Sequence, residues 1–465
     1  MRYISTRGRA PSISFREAVL AGLAPDGGLY VPSSWPQFGA ADDIAPTNEA
    51  FSAAAARILA KFAGDECSED DLRAMAQEAY RPFDAPETAP LRELGDDNHL
   101  LELFHGPTLA FKDIAMRMLA QLYDWALAKD GRGKTIIGAT SGDTGGAAIN
   151  AFAGIDRAEV FMLHPAGRIS EVQRRMMTTS AAANIVNIAV EGSFDDCQTI
   201  VKKLFADAAL NKRLDLGGVN SINWVRLAVQ TVYYATATKK LGKAASFVVP
   251  TGNFGDIFAG YATKRMGLEI RRLGVAVNEN DIMRRAIRTG VYVPSKALPT
   301  SSPSMDIQVA SNFERLLFEA LDRNADALGA LMDEFESDGR MTIPDEALSR
   351  IRADFCAEKA TEAEVADKIR RTRDAFGVLV DPHTAVGLVA LDKLRAEGEI
   401  KGPAIVLATA HPAKFPDAVE AACGERPTLP ARFGDLMARG EQMVHAKADV
   451  AEIRALIEAR SLFAN

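Results

Sequence analysis

His105-Gly106-Pro107-Thr108-Leu109-Ala110-Phe111-Lys112-Asp113 joins a short apolar run at 99–104 to a long amphipathic stretch at 114–128. A run of that length bounded by turn residues predicts a strand, and the apolar spacing that follows predicts a helix. Gly106 and Pro107 make the turn, and Asp113 suits the helix start. The same strand, turn, helix order recurs along the chain. Strands are predicted at 99–104, 135–139, 160–163, 185–190, 246–249, 273–277 and 404–408. Helices are predicted at 114–128, 144–153, 171–177, 194–209, 225–241 and 257–266. This alternation predicts an α/β protein with a wound, mostly parallel sheet covered by helices on both faces. In such sheets ligands bind beyond the carboxyl ends of the strands, so the turns there carry the functional reading.

Outward from this region the texture changes. The first ~95 residues read as mixed and mostly helical, and a Pro-rich acidic linker at 81–90 marks a boundary. The expected organisation is an N-terminal domain at 1–95, a catalytic region of two α/β lobes at 96–425 and a helical tail at 426–465 with a helix at 449–460. The 465 residues are 48% hydrophobic and 25% charged, as in globular proteins that bury large cores. A formal net charge of −8 argues against nucleic acid as a partner but leaves room for a local basic pocket. Cys67, Cys197, Cys356 and Cys423 are scattered, without the spacing of a zinc site or a disulfide framework, so no metal is expected. The opening residues carry no secretory apolar run, and no apolar stretch reaches the ~18 residues of a membrane span. A cytoplasmic protein with no membrane partner is the expectation.

Four turns hold the chemistry. Lys112 projects from a strand–helix junction beside Leu109, Ala110 and Phe111, and partial desolvation of that kind lowers a lysine's pKa and suits Schiff-base chemistry. Taken alone, an ordinary helix-terminal lysine is the commoner case. Thr140-Ser141-Gly142-Asp143-Thr144-Gly145-Gly146 places hydroxyls and backbone amides at a helix N-terminus, an anion site suited to a carboxylate, or else a simple N-cap. Pro250-Thr251-Gly252-Asn253-Phe254-Gly255-Asp256 can cradle a phosphate on backbone N–H groups and the helix dipole, or serve as a tight turn. Asn220-Ser221-Ile222-Asn223-Trp224-Val225-Arg226 gathers amide, hydroxyl and guanidinium groups that suit a second phosphate. An amine-trapping lysine, a carboxylate site and two phosphate sites together describe pyridoxal phosphate plus a phosphorylated amino acid. The competing nucleotide reading of Gly131-Arg132-Gly133-Lys134-Thr135 fails. Ala128 stands where a P-loop needs its first glycine, and the segment precedes a strand rather than following one. It reads as a helix C-terminus with glycine caps.

These motifs resemble the threonine synthase family over nearly the whole chain. Tyr3-Ile4-Ser5-Thr6-Arg7-Gly8, Phe15-Arg16-Glu17-Ala18-Val19 and Gly22-Leu23-Ala24-Pro25-Asp26-Gly27-Gly28-Leu29-Tyr30-Val31-Pro32 are similar to the N-terminal domain of its longer bacterial and fungal form. Ser302-Pro303-Ser304-Met305-Asp306-Ile307, Ser311-Asn312-Phe313-Glu314-Arg315, Asp381-Pro382-His383-Thr384-Ala385 and Thr409-Ala410-His411-Pro412-Ala413-Lys414-Phe415 match further parts of the pattern. The resemblance implies the tryptophan-synthase-β-like fold (fold type II), with pyridoxal 5'-phosphate carried on Lys112. It implies that Gly252, Asn253, Phe254, Gly255 and Asp256 hold the cofactor phosphate and that the Thr409 hydroxyl meets the pyridine nitrogen. Ser141, Asp143 and Thr144 would receive the substrate carboxylate, and Asn220, Ser221 and Arg226 the substrate phosphate. Many relatives carry asparagine where this chain has Asp143, and a carboxylate there repels a second one unless paired or protonated. The implied reaction converts O-phospho-L-homoserine and water to L-threonine and phosphate, with Lys112 as the base, in a monomer or homodimer. The alternatives are an enzyme acting on unphosphorylated serine or threonine, for which Arg226 has no use, and a catalytically silent phosphate-binding relative.

Overall fold

The structure, a computed structural model, describes residues 1–39 and 51–463. Two sheets form its frame. The larger has six strands in the order Phe355–Lys359, Ile270–Val277, Ala245–Pro250, Ala404–Ala408, Asn98–Glu102 and Leu91–Gly95. All neighbouring pairs are parallel except the last, which is an antiparallel hairpin. The smaller has five parallel strands in the order Val444–Lys447, Ile185–Glu191, Ala158–Pro165, Lys134–Ala139 and Leu216–Gly217. Ala245–Pro250, Ala404–Ala408 and Ala158–Pro165 are buried along their whole length, as the central strands of a sheet covered on both faces must be. The predicted α/β class and its parallel wound sheets are present, and each predicted strand is there within a few residues.

The seven α-helices between Ile282 and Cys423 have no predicted counterpart, and among the predicted ones two ends differ for a visible reason. The helix predicted at 194–209 stops at Ala206, and a second one, Ala208–Leu214, follows. Asp207 makes the break. Its backbone is extended and its carboxylate accepts from the amides of Ala209 and Leu210, because a short acidic side chain competes for helix-end donors. The other is the helix Lys112–Ala128, which begins one residue before Asp113. Asp113 does not cap it. Its carboxylate reaches back to the Thr108 amide at 2.7 Å and hydroxyl at 2.5 Å, and so ties the preceding turn to the first helical turn. After Ala128 the chain turns through Gly131, in left-handed backbone, into the strand at Lys134, as the glycine-capped reading requires.

Residues 1–80 pair the strands Tyr3–Ser5 and Tyr30–Pro32 and add the helices Phe15–Leu20, Phe51–Ala63 and Glu69–Tyr80, which share one continuous apolar core with the catalytic region. The expected boundary at 95/96 falls in the turn of the Leu91–Gly95/Asn98–Glu102 hairpin. The closing segment is not purely helical. Val444–Lys447 adds an edge strand to the smaller sheet before the helix Val450–Arg460. All four cysteines are free thiols. Among the described residues no helix is long and apolar enough to cross a membrane, and no group of side chains is arranged to hold a metal ion.

Candidate functional site

The four turns chosen from sequence leave the carboxyl ends of strands in both sheets, and they meet in one pocket. Its lining includes Lys112, Asp143, Thr144, Ser221, Arg226, Gly252, Asn253, Phe254, Gly255, Asp256 and Thr409. Ser141 and Asn220 stay outside it, exposed to solvent. At Gly142 the backbone adopts φ 143°, and a Cβ there would lie 2.8 Å from the Gln173 side chain, so only glycine makes this bend. The bend leaves Ser141 on the outer side of the turn. Thr140 serves the turn instead, its hydroxyl oxygen accepting from the amides of Gly142 at 3.0 Å and Gly145 at 2.9 Å. Asn220 accepts from the Ile222 amide in a local turn.

Lys112 is positioned by backbone stitching. Leu109 takes left-handed backbone (φ 58°), Ala110 bridges Ala410, and the Phe111 amide donates to the Thr409 carbonyl at 2.9 Å. These contacts bring the first turn of the helix Lys112–Ala128 against the segment that follows Ala404–Ala408, so Lys112 and Thr409 share the pocket. The Lys112 ammonium contacts Asp143 Oδ2 at 3.4 Å and Ser304 Oγ at 3.5 Å. Burial pushes its pKa down against the pull of Asp143, and the Lys414 and Arg226 charges lower it further.

The phosphate-type turn is built as a helix start. Phe254 sits in left-handed backbone (φ 63°) and the helix Gly255–Arg265 begins immediately, leaving its first amides without intrahelical acceptors. A Cβ on Gly252 would stand 2.5 Å from the Ser304 carbonyl oxygen, so this turn and the 303–305 turn touch through backbone alone. Asp256 is held from behind by two tyrosines through one of its carboxylate oxygens. Tyr233 donates to its Oδ1, as does Tyr234 at 3.0 Å, while burial pushes the carboxyl up to about 6. Across the pocket Arg226 is 4% exposed, yet its Nε and Nη1 have no hydrogen-bond partner. Burial lowers it to about 10, and no carboxylate balances it. A buried guanidinium with unused donors is costly unless an anion completes it.

Asp143 has a different place from the one expected for a residue that receives a carboxylate. It is itself the centre of an ion cluster, with Lys414 Nζ at 2.6 Å and Gln173 Nε2 at 2.9 Å on Oδ1, and Ser304 Oγ at 3.1 Å and Lys112 on Oδ2. Burial works against its charge, but Lys414 and then Lys112 overcome this and hold it well below the usual carboxylate range. It is paired, which removes the repulsion raised by the sequence.

Several site residues carried no assigned role in the sequence, though their motifs were visible. Asp381 N-caps the helix Pro382–Ala396 and accepts a hydrogen bond from His383 Nδ1 at 2.7 Å, so His383 Nε2 is left to accept from the Ser304 amide at 3.3 Å. Asn312, fully buried, donates to the carbonyls of Ser221 at 3.1 Å and Asn253 at 2.9 Å and so staples the two phosphate-type turns together. Arg315, also fully buried, donates to Ile222 O at 2.7 Å and Tyr30 O at 2.9 Å, and Asn223 Nδ2 donates to Val19 O at 2.8 Å and Ala21 O at 2.9 Å. The turn leading to Arg226 is therefore held from the N-terminal side.

The family model for the threonine synthase N terminus matches residues 2–80, that for pyridoxal-phosphate dependent enzymes residues 88–335, and that for the threonine synthase C-terminal region residues 384–457. A threonine synthase of Pseudomonas aeruginosa is 44% identical over 461 residues, 98% of each chain. The chain belongs to the threonine synthase family. The crystal structure of a PLP-bound threonine synthase from Brucella melitensis superposes with a TM-score of 0.97 at 48% identity, covering 99% of this chain and 100% of that one. The yeast threonine synthase structure superposes at 0.94 with 36% identity, covering 99% and 98%. Membership fixes a pyridoxal-phosphate dependent enzyme of the fold expected from the resemblance. The pocket fits that cofactor. It offers a largely buried lysine, a helix N-terminus with free amides across from it, a glycine turn with no room for a side chain, and a buried guanidinium with unpartnered nitrogens.

Proposed function

We propose that this chain converts O-phospho-L-homoserine and water to L-threonine and phosphate, with Lys112 as the residue that carries pyridoxal phosphate. The observation that supports a phosphorylated substrate is Arg226, a buried guanidinium with two unpartnered nitrogens in the pocket that holds Lys112. An unphosphorylated amino acid would leave that charge uncompensated.

Pyridoxal phosphate, when bound, supplies an aldehyde for amines and a conjugated ring that takes up negative charge developing on the substrate carbon skeleton. The amides of Gly252–Asp256 and the helix dipole behind them would hold the cofactor phosphate, and the Thr409 hydroxyl would serve the ring nitrogen. A hydroxyl partner leaves that nitrogen largely unprotonated and moderates the ring's pull on electrons. Lys112 Nζ, as a free amine, would accept the proton from the substrate Cα and carry later protons between carbon positions. Its lowered pKa suits both duties. Arg226, with Ser221, holds the departing phosphate. Thr144, at the N-terminus of the helix Asp143–Phe152, receives the substrate carboxylate, while Asp143 stays committed to Lys414 and Lys112. The enzyme works in the cytoplasm as a monomer or homodimer, in keeping with the lack, among the described residues, of any helix long and apolar enough to cross a membrane.

The test is direct. Borohydride reduction of the purified protein followed by peptide mass analysis should locate the cofactor on Lys112, and the protein should release phosphate from O-phospho-L-homoserine with threonine as co-product. Cofactor fixed on another lysine, or phosphate release without threonine, would end the proposal.

A further inference from the structure

Lys414 is the second lysine of the pocket region, and nothing in the reaction as written uses it. It is 2% exposed and sits at the end of the short turn Pro412–Lys414, just beyond Thr409. Its ammonium is fixed at two points, Asp143 Oδ1 at 2.6 Å and the Thr108 carbonyl at 2.8 Å. Asp143 therefore has two lysines and divides itself unequally between them. Lys414 holds the short contact to Oδ1, and Lys112 the long one of 3.4 Å to Oδ2, where the Ser304 hydroxyl also donates at 3.1 Å.

The division matters because an amine must be neutral to attack a carbonyl carbon or to accept a proton. A buried carboxylate with a single lysine partner would lock that lysine as an ammonium. We propose that Lys414 is a positioning residue for Lys112: by saturating Asp143 it leaves Lys112 a weak contact that aims the amine into the pocket without trapping it in an ion pair. This rests on Lys112 being the cofactor-carrying amine. The other groups facing Lys112 are Arg226 from the helix Trp224–Leu241, Asp256 from the helix Gly255–Arg265, His383 from the helix Pro382–Ala396 and the Phe111 ring at 4.9 Å. Of these Arg226 reinforces Lys414, Asp256 is turned toward Tyr233 and Tyr234, and His383 holds its proton toward Asp381. Asp143 is thus the negative charge that Lys112 meets directly, and Lys414 governs how much of it Lys112 feels.

The experiment uses the full-length chain freed of cofactor. Cyanate carbamylates neutral amines, and the rate at Lys112 across a pH series, read by peptide mass analysis, gives the midpoint of that amine without any turnover. Lys414→Met should raise the midpoint by about one pH unit or more, a roughly tenfold slower carbamylation at neutral pH. Lys414→Arg, which keeps the charge, should hold the wild-type midpoint, and Asp143→Asn should lower it. In holoprotein the pH midpoint of the bound cofactor's absorbance should move up in Lys414→Met as well. An unchanged or lowered midpoint in a Lys414→Met protein with wild-type circular dichroism overturns the proposal. If that variant fails to fold, an unchanged midpoint in Asp143→Asn overturns it instead. Borohydride trapping of cofactor on a lysine other than 112 would sink the functional reading while leaving the carbamylation result to be judged alone.

Discussion

Replacing Arg226 with methionine should have opposite effects on stability and on turnover. The side chain is buried, and burial moves its pKa from 12.5 to about 10 without a carboxylate to offset the loss. A cation whose folded-state pKa lies below its unfolded value destabilises the fold at every pH under the lower value. The displacement corresponds to about 3 kcal/mol of destabilisation at neutral pH in the ligand-free chain. Methionine keeps most of the volume and removes the charge, so the ligand-free variant should be as stable as wild type or more so. With a phosphorylated substrate the balance reverses. Two charge-assisted hydrogen bonds from the free Nε and Nη1, at about 1.5–3 kcal/mol each, put the loss in kcat/KM at roughly a hundredfold to ten-thousandfold. Two assays read this together: phosphate release from O-phospho-L-homoserine, and thermal denaturation with and without inorganic phosphate. In protein loaded with cofactor, so that the Gly252–Asp256 turn is already filled, phosphate should raise the wild-type melting temperature by a few degrees and leave the variant unmoved. A variant that melts well below wild type without ligand, yet keeps the full response to phosphate, would show that Arg226 is a structural residue and refute the reasoning.

Three further outcomes are expected. Gly252→Ala puts a methyl group 2.5 Å from the Ser304 carbonyl, so one turn must move, and cofactor affinity measured by absorbance titration should fall at least about tenfold while the circular dichroism of the apoprotein stays unchanged. Asn223→Ala leaves the buried Val19 carbonyl and the half-buried Ala21 carbonyl short of a donor, which should cost about 1–3 kcal/mol in denaturant unfolding and raise KM more than it lowers kcat, since the adjoining turn leads to Arg226. Asp256, with its carboxyl raised from 3.8 to about 6, binds a proton in the folded chain that the unfolded chain has released. Its contribution to stability is thus greatest below about pH 4 and is lost as pH rises through 6; Asp256→Asn lacks this titration, so the wild-type-minus-variant stability difference should fall between about pH 4 and 6.

The parts of this molecule that sequence reveals are those written locally. Each chemistry-bearing turn leads directly into a helix, and glycine marks three of the four, so Lys112, Gly252–Asp256 and Arg226 could be chosen once the four turns were taken together. What was not legible is long-range. Lys414 lies 271 positions from Asp143, Ser304 is 161 away, and no spacing rule connects them. Asp143 could be flagged as an odd charge, but its partners depend on how the two sheets are set against each other. Edge strands escaped for a different reason. Leu91–Gly95 has exposed Arg92 and Glu93, and Val444–Lys447 has exposed His445 and Lys447, so neither shows the apolar run that marked the central strands. Ser141 and Asn220 matched a family motif, but the bend at Gly142 and the local turn at Asn220 direct them outward.

The contacts that tie the first residues to the site have a temporal side. The carbonyl of Tyr30 waits for Arg315, 285 positions later, and the Thr6 hydroxyl for Glu314, 308 later, while the Thr108 carbonyl waits for Lys414, 306 later. A ribosome making about 5–20 residues each second exposes the early partners for tens of seconds before the late ones emerge. The helices of the N-terminal segment can form early, but the pocket closes only after synthesis is nearly finished, so a chain truncated before Lys414 would leave the ribosome with Lys112 in place and no complete pocket around it.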